Sequence, residues 1–299
     1  MKSTFMNRRA LLAGAVAGVA GVMPARPAWA QAHPAMPASE QADMDGIVAQ
    51  ARSFAALHTM LVSRQGNILI ERTFRGPAGE RAVNVKSVSK TIIATLVGIA
   101  IERKVLTGLE QPIAPLLAGS LPPNADPRLQ RVTIGNLLSM QAGLERTSGP
   151  NYGRWVESGN WVRYALSRDF VDEPGGRMLY STGNSHLLSA ILTRATGRST
   201  LRNARDWLGK PLDIDIPAWP RDPQGIYFGG NDMELSPRAM LAFGTLFLHA
   251  GRNGERQIVP KQWIDASWEP RTSSPFTGDA YGLGWFITQT PNGDPIHYA

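Results

Sequence analysis

The chain has 299 residues, of which 43% are hydrophobic and 18% charged, an ordinary globular composition with enough chain for a large buried core. It contains no cysteine, which excludes disulfides, thiol nucleophiles and cysteine-based zinc sites. Its net charge of +7 includes four positive charges in residues 1–30, so the remainder carries +3. Without a basic run interleaved with aromatic residues, that surplus does not predict a nucleic-acid surface.

The first thirty residues have the three parts of a cleaved signal peptide: a positive start, an apolar stretch and a small-residue cleavage pattern. These parts are Lys2 with Arg8 and Arg9, residues 10–23, and residues 28–30. The apolar stretch is shorter than the roughly 18 residues that a bilayer span needs, so a signal peptide is favoured over a membrane anchor. Residues 7–12 are typical of a twin-arginine export signal. We therefore expect a periplasmic or secreted protein, cleaved near Ala30, that meets the membrane only during export.

Beyond a linker at 31–44, apolar periodicity and turn residues predict one domain over residues 45–299. Its first elements are a helix at 45–57, hairpin strands at 59–64 and 68–74, a loop at 75–84, and a long helix from 88 to about 104. Later helices are predicted at 134–140, 185–196, 201–208, 237–248 and 260–268, and strands at 281–288 and from 296. This order indicates an α/β (α+β) fold. We expect an antiparallel sheet (about 45–86 and 276–299) flanked by helices, with a large helical insertion at about 87–275.

The tetrapeptide Ser87-Val88-Ser89-Lys90 begins the long helix, and its spacing places Ser87 and Lys90 on one side of the first turn. A serine hydroxyl becomes a nucleophile when a base takes its proton, and a lysine can be that base when burial lowers its pKa. The helix is apolar around most of its circumference, which predicts that it is buried. The alternative is an exposed turn with a capping serine and a solvated lysine, since chance supplies such a tetrapeptide in about one chain of three with this lysine content.

Tyr180 lies just before the helix predicted at 185–196, in the segment Tyr180-Ser181-Thr182-Gly183-Asn184. A phenol at a loop–helix junction can relay a proton to a leaving group or help to keep a lysine neutral. The alternative is a half-buried structural tyrosine. The histidines show no metal-binding spacing, and no Gly-x-Ser-x-Gly motif is present, so neither a metal site nor an α/β-hydrolase nucleophile is predicted.

Together, Ser87-x-x-Lys90, Tyr180 and several flanking segments resemble the β-lactamase-related serine hydrolases of the class C β-lactamase and penicillin-binding type. This family includes class C β-lactamases, D-amino-acid peptidases, esterases and 6-aminohexanoate-dimer hydrolases. The flanking segments are residues 132–144, Gly229-Gly230, residues 235–244 and Tyr281-Gly282-Leu283-Gly284-Trp285. The resemblance runs from about residue 55 to the end of the chain. It implies a β-lactamase/transpeptidase-like fold, with the serine on a buried helix beside an antiparallel sheet and a helical region closing the cleft.

The resemblance implies that Ser87 is the nucleophile, Lys90 its base partner and Tyr180 the general acid/base of a serine hydrolase that cleaves an amide or ester through an acyl-enzyme. The family's Tyr-x-Asn pattern is altered, because Thr182 stands third and the asparagine comes at Asn184. This resembles the 6-aminohexanoate-dimer hydrolase branch more than true β-lactamases, and it makes Asn184 the candidate substrate-binding residue. The implied partner is a small-molecule amide or ester and no cofactor is implied; the oligomeric state stays open.

The family's third motif is a Lys- or His-x-Gly or Gly-x-Gly-Gly strand that contributes an oxyanion-hole amide. In this chain it would be expected to follow residues 295–299, so we interpret the sequence as truncated at its C-terminus, with an incomplete sheet. Two other interpretations stay open: that the chain is a non-catalytic or penicillin-binding and sensing protein of the same fold, or that it is an inactive truncated fragment.

Overall fold

The computed structural model describes residues 38–77 and 79–299. The predicted signal peptide at 1–30 lies outside the described residues. The α-helices are α1 (Ala38–Ser53), α2 (Val88–Glu102), α3 (Ile113–Leu116), α4 (Ile134–Leu138), α5 (Tyr152–Val156), α6 (Trp161–Leu166), α7 (Thr182–Thr196), α8 (Thr200–Ala204), α9 (Lys210–Leu212), α10 (Pro237–Leu248) and α11 (Lys261–Ser267). Short 3-10 turns lie at Ala118–Ser120, Pro127–Arg131 and Gly149–Asn151, and a π-helical turn at Arg205–Gly209 joins α8 to α9.

The strands form small antiparallel sheets. They are β1 (Thr59–Arg64), β2 (Asn67–Thr73), β3 (Val83–Asn84), β4 (Glu234–Leu235), β5 (Arg252–Asn253), β6 (Arg256–Gln257), β7 (Thr272–Ser273), β8 (Ala280–Tyr281), β9 (Phe286–Gln289) and β10 (Pro295–Tyr298). The last four form one sheet in the order β10-β9-β8-β7, while β1 pairs with β2, β3 with β4 and β5 with β6. The combination of antiparallel sheets with a large helical region between them confirms the predicted fold class.

The β1–β2 hairpin follows from its two turn residues. Gln65 and Gly66 both have positive φ, at 52° and 81°, which is the backbone that a two-residue hairpin turn needs. The strands pair in antiparallel register from Arg64 with Asn67 to Thr59 with Thr73. Both strands therefore lie within one residue of the predicted positions.

Two predicted elements differ most clearly from the structure. The first helix begins at Ala38, inside the segment predicted as a linker, and ends at Ser53. Alanine, glutamine and glutamate in that segment are strong helix formers, and they outweigh the prolines that precede them in the sequence. The strand predicted at 281–288 is two strands, β8 and β9, because Gly284 has a φ of +83° and turns the chain between them.

Helix α2 is the centre of the hydrophobic core. Every residue from position 89 to 100 is buried, and the helix packs against α7. Gly98 is required for this packing, because a Cβ there would collide with the Trp263 indole ring. Burying each large aliphatic side chain of α2 contributes on the order of 1.5–3 kcal/mol. The helix that carries the Ser87-x-x-Lys90 motif is therefore held firmly from all sides.

Within the described residues, no helix is both long enough and apolar enough to span a bilayer. The same part of the chain contains no group of three or more histidine, aspartate or glutamate side chains arranged to hold a metal ion.

Candidate active site

Ser87 lies on the turn that leads into α2, with its side chain exposed at the surface. The turn is fixed from both sides. Lys86 has a positive φ of 47° and donates its N–H to Asn84 Oδ1 at 2.8 Å, while Val85 donates to the Met233 carbonyl at 2.9 Å. The Ser87 hydroxyl does not cap the helix, so it is not used to satisfy the backbone. The serine is therefore exposed, while its backbone is rigidly held.

Lys90 lies one turn further along α2 and is only 3% exposed. Its Nζ is 3.1 Å from Ser87 Oγ and donates to the Gly230 carbonyl at 2.6 Å. Burial lowers the pKa of Lys90 from 10.5 to about 7, because the charged ammonium loses its hydration. The positive end of the α2 dipole lies at the same turn and also disfavours the charge. The solvated-lysine alternative is therefore wrong, and a neutral amine is accessible near neutral pH.

Tyr180 approaches the same two residues from the other side of the site. Its ring centre is 5.0 Å from Lys90 Nζ, and its hydroxyl lies close enough to the Ser87 side chain to interact with it. Burial raises the pKa of Tyr180 above its ordinary value of 10, and the interaction with Ser87 only partly offsets the rise. The tyrosine therefore keeps its proton over the range in which Lys90 titrates.

The loop that carries Tyr180 is held by a neighbouring segment. Thr147 donates its N–H to Ser181 Oγ at 3.1 Å and accepts from the Gly183 N–H at 2.8 Å. Ser148 Oγ accepts from the Thr182 N–H at 2.9 Å. These contacts satisfy backbone groups at the start of α7, which would otherwise lack partners. They fix the direction in which the chain enters the helix, and hence the position of Tyr180.

Aromatic side chains from the C-terminal sheet pack against Tyr180. Phe286 stacks on its ring at a centroid distance of 6.3 Å, and Tyr281 meets it edge-on at 6.5 Å. Tyr281 is fully buried, which raises its pKa well above 10. The C-terminal sheet and the helical region therefore meet at Tyr180. The turn between β8 and β9 also contacts α2, since Thr91 Oγ1 donates to the Gly284 carbonyl at 2.7 Å.

Three of the four predicted site residues are thus brought together, and Asn184 is not. Asn184 is buried in the first turn of α7, where its N–H donates to the Ser181 carbonyl at 3.2 Å. Among the described residues, no hydrogen bond joins it to Ser87, Lys90 or Tyr180. Its substrate-binding role stays a prediction. Ser89, the other serine of the motif, is fully buried; its hydroxyl donates to the Lys86 carbonyl and accepts from the Met233 N–H.

The Gly230 carbonyl was not predicted as part of the site. The sequence contains a signal for it, because Gly229-Gly230 is one of the segments that resemble the family. No spacing rule, however, connects a glycine pair to a lysine 140 residues away. Both glycines are needed for close packing: a Cβ at residue 230 would lie 2.8 Å from Thr182 Cγ2, and one at residue 229 would collide with the Ser185 carbonyl.

Comparison with known proteins gives the same family as the site. A family model named Beta-lactamase matches residues 59–298. Three solved structures with similar folds are a D-stereospecific amidohydrolase from Streptomyces sp., a protein described as a 6-aminohexanoate-dimer hydrolase from Bacillus anthracis, and EstCE1, a hydrolase with promiscuous acyltransferase activity.

These likenesses concern the fold, because the identities are low. The amidohydrolase is 20% identical with a TM-score of 0.61, and the match covers 77% of each chain. The Bacillus anthracis protein is 18% identical with a TM-score of 0.67, covering 89% of this chain and 74% of its own. EstCE1 is 17% identical with a TM-score of 0.68, covering 85% and 84%. Since the family model spans most of the sequence, the chain belongs to the Beta-lactamase family, the β-lactamase-related serine hydrolases.

Proposed function

We propose that this protein cleaves a small-molecule amide or ester through an acyl-enzyme formed on Ser87. The observation that carries the proposal is the position of Lys90 Nζ, which lies 3.1 Å from an exposed serine hydroxyl while the lysine itself is buried. A base is most effective when its pKa lies near the working pH, and burial lowers the pKa of Lys90 to about 7.

In the first step, neutral Lys90 takes the proton of the Ser87 hydroxyl as Oγ attacks the substrate's carbonyl carbon. Negative charge then develops on the carbonyl oxygen. None of the backbone hydrogen bonds among the described residues is donated by the Ser87 N–H, which lies at the positive end of α2, so it can donate to that oxygen. A rigid donor of this kind stabilises the developing charge without reorganisation.

Collapse of the tetrahedral intermediate breaks the bond to the leaving nitrogen or oxygen, which needs a proton. Tyr180 can donate it, because its hydroxyl interacts with the Ser87 side chain and its raised pKa keeps it protonated. The proton that Lys90 has taken then passes to the tyrosine. In the second half, water adds to the acyl-enzyme, its proton is taken by the same groups, and the acid is released with Ser87 restored.

The test is turnover of p-nitrophenyl butyrate together with labelling by a fluorophosphonate probe. Wild-type protein should hydrolyse the ester and be labelled at Ser87. Ser87→Ala should lower both by about 10³-fold or more, because the variant lacks the hydroxyl on which the acyl-enzyme forms. Ser89→Ala is the matched control: it removes a buried serine of the same motif and should keep turnover within about threefold, with a stability loss of about 1 kcal/mol.

Two outcomes would contradict the proposal. Full activity in Ser87→Ala would refute the mechanism. Wild-type protein that binds a fluorescent penicillin permanently, without turning over any ester or amide, would support the sensing alternative instead.

Export is a separate proposal, which cell fractionation tests: mature protein lacking about the first 30 residues should be found outside the cytoplasm.

A further inference from the structure

A second buried polar cluster is connected to the Ser87–Lys90 centre through Gly229-Gly230. His186 on α7 and Asp222 have fully buried side chains, and His186 Nε2 is 3.0 Å from Asp222 Oδ2. The Gly229 N–H donates to His186 Nδ1 at 3.4 Å. The aromatic rings of Trp155, Trp161 and Phe228 surround the imidazole.

The hydrogen bonds of this cluster fix where each proton lies. Because the Gly229 N–H is a donor, His186 Nδ1 must accept and carries no proton. The ring proton is therefore on Nε2 and is donated to Asp222 Oδ2. Asp222 Oδ1 is occupied as well, since it accepts from the N–H groups of Gln224 at 2.9 Å and Ile226 at 2.8 Å.

The cluster is connected to Lys90 through two adjacent residues, Gly229 and Gly230. Gly229 receives the histidine contact, and the carbonyl of the next residue, Gly230, accepts from Lys90 Nζ at 2.6 Å. A neutral amine has two N–H groups and one lone pair. With one N–H donated to Gly230, rotation about the Cε–Nζ bond is restricted, and the lone pair can be kept towards Ser87 Oγ.

We propose that His186 and Asp222 are positioning residues for the Ser87–Lys90 centre: they hold Gly229 so that the Gly230 carbonyl orients the Lys90 amine towards Ser87. This inference rests on the proposed function. It assigns chemistry to two residues that touch neither substrate nor nucleophile.

Asp222→Asn is the sharpest test because two backbone N–H groups allow only one orientation of the asparagine amide. Its oxygen must stay where Oδ1 accepts two backbone N–H groups, so its NH2 group faces His186 Nε2. Nε2 then has to accept, and the ring proton moves to Nδ1, where it opposes the Gly229 N–H. The substitution is isosteric, yet it should displace the glycine pair by reversing one hydrogen bond.

The expected result is a fall in kcat on the order of 10²-fold with KM nearly unchanged, because the amine is misaligned while the substrate pocket is intact. The acidic limb of the kcat/KM–pH profile should move to lower pH, by on the order of one unit, since the Lys90 ammonium loses its carbonyl acceptor. The other groups around Lys90 are unchanged: Tyr180 faces it, Tyr281 lies behind Tyr180, and the exposed Lys86–Asp232 pair flanks Ser87.

Nitrogen-15 NMR of histidine-labelled protein reads the tautomer without reference to activity. Wild type should show Nδ1 unprotonated, and Asp222→Asn should show the reverse.

Thr200→Val is the matched control. It removes the buried hydrogen bonds of Thr200 to Ser189 on α7, the helix that carries His186, and should lower Tm without moving kcat or the pH profile. His186→Gln, which also loses the Gly229 acceptor, replaces Asp222→Asn should that variant not fold.

A reversed tautomer with wild-type kcat and an unmoved pH profile overturns the inference, as does an unchanged tautomer in Asp222→Asn. These outcomes are distinct from failure of the proposed function, in which wild-type protein itself neither hydrolyses ester nor reacts with fluorophosphonate.

Discussion

Two buried polar clusters in this protein, one around Lys90 and one formed by His186 and Asp222, differ in whether the buried ionisable group has a partner. Lys90 places an amine in apolar surroundings, and among the described residues no carboxylate lies within ion-pair distance of it. His186 and Asp222 are buried to the same degree, but each is the other's partner. Burial therefore lowers the pKa of Lys90 to about 7, whereas the histidine–aspartate pair is held in one hydrogen-bonding arrangement.

This difference gives the two clusters different roles: the lysine is reactive, and the histidine–aspartate pair is structural. An unpaired buried cation loses its proton readily, so a base becomes available where a serine hydroxyl can use it. A pair with every hydrogen bond satisfied has nothing left to react and serves to fix its neighbours. The two clusters meet at Gly229-Gly230, which connects the imidazole to the amine.

Asp222→Ala should break the paired cluster and cost about 3–5 kcal/mol of unfolding free energy, because it leaves a buried histidine donor and two backbone N–H groups without acceptors. Chemical denaturation monitored by circular dichroism measures this. A loss below about 1 kcal/mol would mean that the pair is solvated or relaxes freely, contrary to its burial.

Tyr180→Phe tests whether the Tyr180 hydroxyl takes part in catalysis with Ser87 and Lys90 or the ring only packs beside them. The ring and its stacking on Phe286 are kept, so stability should change little, while hydrolysis should slow by about 10²-fold, or roughly 2.7 kcal/mol of transition-state free energy. Tyr164→Phe, which removes a phenolic hydroxyl in α6, is the control and should retain activity. Equal activities in the two variants would assign Tyr180 to packing alone.

Lys90→Met removes the unpaired charge and should stabilise the protein by about 2 kcal/mol at pH 7 while abolishing its base. In the unfolded chain the lysine keeps its proton up to a pKa of 10.5, but in the folded protein only up to about 7. Wild-type stability therefore rises with pH between these values, and the advantage of Lys90→Met should shrink over the same interval.

The neighbouring lysine supplies the control for that experiment. Lys86 is exposed and pairs with Asp232 at 3.3 Å, so Lys86→Met should change stability by less than about 1 kcal/mol at any pH. If the two variants behave alike in denaturation measured at several pH values, burial does not distinguish the two lysines.

The burial of Lys90 and the β1–β2 hairpin could both be predicted from the sequence. The α2 sequence is apolar around most of the helix circumference, which predicted its burial and hence an amine in an apolar environment at Lys90. The segment Gln65-Gly66-Asn67 between two β-prone runs predicted the hairpin, because glycine readily adopts the positive φ that a tight hairpin turn needs. Local rules succeeded where the determining residues are adjacent in sequence.

The contacts that complete the site join distant segments, and no local pattern predicts them. Gly230 lies 140 residues from Lys90 and Asp222 lies 36 residues from His186. His186 shows no metal-ligand spacing in the sequence, and near the start of a helix it is interpreted as an ordinary surface or core histidine. The split of the predicted strand into β8 and β9 also depends on packing, since the Gly284 turn is fixed by Thr91 on α2.

The most direct test of the central claim is the pH dependence of Ser87 labelling. The second-order rate constant for a fluorophosphonate probe, measured from about pH 5 to about pH 9.5, should rise with pH and level off above an inflection near 7, as Lys90 loses its proton. A rate that still climbs about tenfold per unit through pH 9 would contradict the account, because it would mean that Lys90 keeps an ordinary lysine pKa.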